Sequence, residues 1–145
     1  MTKGGHALKD KARETNQQQS DSGLELAQWI AKTLDRKGAQ DIQVLETKPG
    51  TYIADYLVVA TGTSSRHMES LLQTPCEELK KLGYPPQNVE EDSARWMLAD
   101  LGDVIIHIFD DETRHNIDLE NLWKNAPRID WQKQAKSSLA SLQRI

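Results

Sequence analysis

A single cysteine, Cys76, in 145 residues excludes an internal disulfide and leaves any thiolate-rich metal site dependent on other chains. Long apolar runs are missing as well. No stretch approaches the roughly 20 residues needed to cross a bilayer, and the opening MTKGGHALKDKARETNQQQS has no apolar core of a secretory signal. The expected location is therefore the cytoplasm, with no membrane partner. Positive charge is scarce: 18 Lys and Arg stand against 22 Asp and Glu, a formal net charge of −4. The deficit is concentrated between Gly23 and Ala126, where 10 Lys and Arg face 18 Asp and Glu, while both flanks are slightly basic. An acidic surface repels a phosphate backbone, which disfavours sequence-specific nucleic-acid reading and favours a basic protein partner. Acidity that merely serves solubility is the alternative.

What is present fits one compact domain with tails, because 37% hydrophobic and 28% charged residues are ordinary for a globular chain of this length. Residues 1–22 are polar, glutamine-rich and without apolar periodicity, so they read as a disordered arm. SGLELAQWIAKTLDRKG reads as a helix: Ser22 as cap, Ala27, Ile30, Ala31 and Leu34 on one face, Trp29 and Leu26 widening it, and Gly38 as terminator. DIQVLET reads as a strand. YIADYLVVA follows, apolar on both faces from Tyr56 to Ala60 and so expected inside a sheet covered on both sides.

Gly62 breaks that strand, with Thr63 or Ser64 as cap of a helix burying Met68, Leu71, Leu72, Cys76 and Leu79. Pro75, with Thr74 before it and Glu77 after it, predicts a bend or restart there. QNVE is at most a short strand, and RWMLADLGDVIIHIFD reads as two strands joined at Leu101–Gly102. An acidic turn, DDET, then precedes a brief helix capped by Asp118 and closed by Pro127. The tail 128–145 carries Trp131, Ala135, Leu139 and Leu142 at helical spacing, compatible with an amphipathic helix and with a frayed end alike. The pattern is a small α/β layer domain with a mixed sheet.

The turn TGTSS raises the question of a phosphate site or a nucleophile. It lacks the P-loop spacing and lysine, and one glycine is too few for a dinucleotide fingerprint. Gly62 for an unusual backbone angle, followed by a capping hydroxyl, is the simpler reading. TGTSS is not a G-x-S-x-G elbow, and no motif ties His67 or His107 to a serine. His67 falls in the first turn of a helix as a surface or partner contact. His107 interrupts an apolar strand, as a satisfied core or interface histidine does. The run Asp110, Asp111, Glu112 has no standard metal-ligand spacing with His107 or His115. Trp96, Met97 and Trp123 are large groups that serve either a small core or an interface anchor.

Together KGAQDIQVLE, ADYLVVATGTSSRH, ARWMLADLGDVIIHIF and DLENLW resemble the ribosomal silencing factor, or Iojap-like, family from Leu24 to about Pro127. The resemblance implies a small mixed-sheet α/β domain, 23–127, related to the nucleotidyltransferase fold but without its catalytic carboxylates. It implies no enzyme activity, no cofactor and no metal. It implies instead a partner, the large ribosomal subunit through ribosomal protein uL14, and a block on joining of the small subunit that lowers translation. Carried over residue by residue, Trp96 matches the family's contact tryptophan, beside Met97, and His107 its strand histidine. Arg66 and His67 belong to the turn and helix start, Asp100 and Asp103 to the DLGD turn, and Arg114 to the closing motif with Leu119, Glu120, Leu122 and Trp123.

Three departures are visible. VEEDSARW lacks the family's glycine, Asn116 and Ile117 stand where a tyrosine is common, and Pro75 interrupts a normally continuous helix. Two other readings stay open: a nucleotide-binding or nucleotidyltransferase-like enzyme, and a homodimer whose contact face competes with ribosome binding. The first needs an i,i+2 carboxylate pair on a strand face. Only Asp110 and Glu112 have that spacing, in an acidic turn.

Overall fold

The computed structural model describes residues 22–47 and 54–132. Helix α1 (Ser22–Arg36) buries Ala27, Ile30, Ala31 and Leu34 as the periodicity requires, and Trp29 beside them. Ser22, expected as its cap, is already helical. Gly38 ends it at φ +84°, its amide donating to the Asp35 carbonyl and the Ala39 amide to that of Leu34. Strand β1 (Gln40–Glu46) and the fully buried β2 (Tyr56–Thr61) pair antiparallel.

Helix α2 (Ser65–Lys81) starts from Ser64, whose hydroxyl accepts from the His67 amide at 3.0 Å. It runs through Pro75 as one helix, correcting the expected restart at Thr74. Leu71, Leu72, Pro75, Cys76 and Leu79 are all buried on one helical face. Packing of that continuous stripe on the sheet outweighs the one amide that proline removes. Gly62 is also corrected: its φ is not positive. A Cβ there would lie 2.6 Å from the Met68 Cγ and 3.3 Å from the Met68 backbone. Glycine is required by close approach of strand end and helix, not by backbone angle.

Strands β3 (Asn88–Glu90), β4 (Trp96–Asp100) and β5 (Val104–Phe109) complete a five-stranded mixed sheet of order β1-β2-β5-β4-β3. Only β2 and β5 are parallel. The β4–β5 turn closes as DLGD dictates: Gly102 sits at φ +92° and the Asp100 carboxylate accepts the Gly102 amide at 2.8 Å. The run after β5 is not a turn but helix α3 (Asp111–Ile117), capped by Asp110, which accepts from the Thr113 amide at 2.8 Å. Asp118 then takes a left-handed conformation, φ 51°, and ends α3. It gives no side-chain cap to the single-turn α4 (Leu119–Leu122), contrary to expectation.

The sheet separates two apolar clusters by strand alternation. On the first face α1 and α2 cover Val44, Tyr56, Val58, Met97, Ala99, Val104, Ile106 and Ile108. On the second, Leu119, Trp123 and Ala126 cover Leu45, Leu57, Val59 and Ile105. The chain then turns along the β1 edge, where Glu46 donates its amide to the Pro127 carbonyl and Ile129 donates to Val44, both at 2.9 Å. Trp131 ends this strap, its indole N–H donating to the Ile42 carbonyl at 3.3 Å. The N-terminal arm and the helical spacing of Ala135, Leu139 and Leu142 lie outside the described residues.

Candidate functional site

Among the described residues, the second face of the sheet is covered over β1, β2 and the start of β5 at Ile105. Over β5 and β4, alternation turns Trp96, Leu98 and Asp100 of β4 and Ile105, His107 and Phe109 of β5 toward one side. The register places Trp96 opposite Phe109 and Leu98 opposite His107. Phe109 is fully buried, and Trp96 rests on it with ring centroids 5.1 Å apart. His107 stacks on Phe109 at 6.0 Å with planes 9° apart. Trp96 remains 37% exposed.

The Trp96 indole N–H donates to His107 Nδ1 at 3.0 Å. Burial pushes the His107 imidazole down to about 4, so the ring is neutral at physiological pH and Nδ1 is free to accept. Next to this pair a cavity of about 310 Å³ opens between Leu57, Leu98, Asp100, Ile105, His107 and the covering residues Leu119, Leu122 and Trp123. Leu122, 73% exposed, stands at its rim. The site is therefore an aromatic platform beside an apolar hollow, in a chain whose Gly23–Ala126 stretch is acidic.

Of the residues expected at a partner surface, Trp96, His107 and Asp100 share this face. Met97 does not: it is 1% exposed and points into the helix-covered core, the necessary consequence of following Trp96 in a strand. His67, half-exposed at the start of α2, also ties two elements together. Its Nδ1 accepts the Thr63 amide at 2.9 Å and its Nε2–H donates to the Lys37 carbonyl at 2.9 Å, tying α1's end to the β2–α2 turn. Arg66 is exposed on the first turn of α2, away from Trp96's face. Asp103 belongs to the opposite end of the sheet, its carbonyl accepting the amides of Asp55 and Tyr56. Arg114 donates to the Thr61 hydroxyl at 2.9 Å from α3.

Sequence reasoning missed Phe109 and Leu98. Folding the two strands about Leu101–Gly102 places Phe109 under Trp96, a pairing visible in the hairpin register. The carboxylates Asp110 and Glu112 lie in the cap and first turn of α3, not on a strand face. Among the described residues no cluster of three His, Cys, Asp or Glu side chains is arranged to hold a metal ion.

The family described as "Ribosomal silencing factor during starvation" matches residues 17–144. The chain belongs to the ribosomal silencing factor family. The ribosomal silencing factor RsfS of Bacillus subtilis is 34% identical over 101 residues, 69% of this chain and 86% of the relative. The RsfS of Haemophilus influenzae is 32% identical over 101 residues, covering 69% of this chain and 99% of its own. A mouse relative, "Mitochondrial assembly of ribosomal large subunit protein 1", is 33% identical over 98 residues, 65% of this chain and 43% of its own. Among solved structures, a Chromobacterium violaceum protein superposes with TM-score 0.66 at 30% identity, covering 70% of this chain and 85% of that one. A Bacillus halodurans structure gives 0.62 at 28%, covering 74% and 95%. The silencing-factor domain is thus a mixed α/β layer fold shared with these relatives.

Proposed function

We propose that this silencing factor is a cytoplasmic translation repressor, not an enzyme, that docks the open half of its sheet on ribosomal protein uL14 of the large subunit. Its bulk then blocks joining of the small subunit. The observation that carries the reading is Trp96: a large ring held in one orientation by His107 and Phe109 yet still open to solvent. Buried aromatic anchors of this kind dominate interface energetics. The acidic excess of the domain suits a basic protein and steers its approach. Family membership and the large-subunit wording of the mouse relative's name support the large subunit as the place of binding.

The test is sedimentation of the protein with isolated large and small subunits, beside its binding to immobilised uL14. Trp96→Ala should retain the fold and lose about 2 kcal/mol of binding, roughly thirtyfold in affinity. A folded variant that binds like the parent would end the proposal. A second reading, a homodimer through the same face, is favoured by the exposed Leu122 at the rim of the hollow. Sedimentation velocity across a concentration series decides it, since Leu122→Asp should then dissociate the dimer.

A further inference from the structure

We propose that His107 is a positioning residue for Trp96 and also presents its own Nε2–H, beside the indole, to a backbone carbonyl of the protein partner. The inference rests on the reading that this face docks.

An indole nitrogen is a donor only, so the 3.0 Å contact to Nδ1 requires Nδ1 to be the acceptor. A neutral imidazole then carries its single proton on Nε2. Partial burial of the ring between Trp96 and Phe109 lowers its basicity and keeps that neutral form in place. Among the described residues the contact at Nδ1 is the one hydrogen bond that the His107 ring makes. No buried side-chain nitrogen or oxygen in the described residues lacks a partner, so Nε2 reaches the surface. Asp100, on the same face, has Oδ1 engaged by the Gly102 amide. The outcome is a donor of fixed direction next to an exposed aromatic ring.

A donor in that position is covered when the ring is covered, and an interface that buries it must supply an acceptor. The domain carries 18 acidic against 10 basic residues from Gly23 to Ala126. It therefore selects a basic protein and disfavours both the carboxylates of a partner and the phosphates of RNA. A main-chain carbonyl is the acceptor that a basic surface still offers.

Two amide side chains separate the two roles. The Asn amide reaches about as far as Nδ1 and the Gln amide about as far as Nε2. His107→Asn should keep the Trp96 indole N–H protected from hydrogen exchange and lower affinity for isolated large subunits roughly tenfold, the loss of one directed hydrogen bond. His107→Gln should expose the indole N–H to exchange while retaining part of the affinity. His107→Phe should do both and bind weakest. Thermal unfolding of each variant confirms a folded protein, and Trp96→Ala identifies the indole signal. Wild-type affinity in His107→Asn would overturn the donor role, and an unchanged indole exchange rate in His107→Gln would overturn the positioning role. Loss of binding in Trp96→Ala with full binding in all three His107 variants would sink this inference and leave the docking reading intact. Full binding in Trp96→Ala would remove both.

Discussion

Trp96 and Met97 are neighbours in one strand, yet Trp96 is 37% exposed and Met97 1%. The same alternation runs through β5, where Ile106 and Ile108 face the helices and His107 and Phe109 face the open side. One face is sealed by α1 and α2 and provides stability; the other is half covered among the described residues. A slip of one residue in the β4–β5 register would exchange the two sets and destroy both properties together. The DLGD turn, with Gly102 left-handed and Asp100 holding its amide, pins that register.

The comparison is broken most strongly from the sealed side. Met97→Ala should cost about 2–5 kcal/mol of stability by opening a cavity, whereas Trp96→Ala should cost far less stability and mainly binding. Chemical denaturation of both variants measures the contrast. Equal losses would mean that the two faces are not energetically distinct. Gly62→Ala tests the junction between β2 and α2: with Met68 fully buried at 2.6 Å from the new methyl, about 1–3 kcal/mol should be lost without any change in backbone angle. A neutral or stabilising effect in thermal unfolding would refute the close-approach account.

The smallest effect belongs to Asp110, the cap of α3. Hydrogen bonding from Thr113 holds its carboxyl below the usual range, with Arg95 adding to the effect. Because the folded value is the lower one, the stabilisation is fully present above the unfolded value of about 3.9 and fades as pH falls through the folded one. Asp110→Ala should cost about 1 kcal/mol at neutral pH, and the difference from wild type should shrink in acid. Denaturant midpoints at neutral and acidic pH give the comparison, and a pH-independent difference would argue against the cap.

Local rules made much of this legible. The apolar stripe of α1, Gly38 as its stop, the all-apolar β2 and the Leu101–Gly102 hairpin all stood in the sequence because each is decided by neighbours a few residues away. Trp96 and His107 were legible through family resemblance, and their pairing follows from the hairpin register. What was not legible depended on distant packing. Pro75 is tolerated because a whole helical face lies on the sheet. Gly62 answers to Met68, and His67 to Lys37, thirty residues earlier. The helix α3 was overlooked because it buries no residue and so has no apolar stripe, although the Asp110 cap, the acidic first turn and the basic last turn all favour a helix.

The strap along β1 has a consequence for solution behaviour. A sheet with two open margins is a template on which identical chains can add strands, and such growth ends in fibres. Pro127–Ile129 occupies one margin with main-chain hydrogen bonds to Val44 and Glu46. The other margin, β3, has three residues, follows Pro85 and Pro86, and is succeeded by Glu91 and Asp92. Short length, imino acids and charge make it a poor template. The protein can therefore keep an aromatic platform uncovered without its sheet becoming the seed of an aggregate.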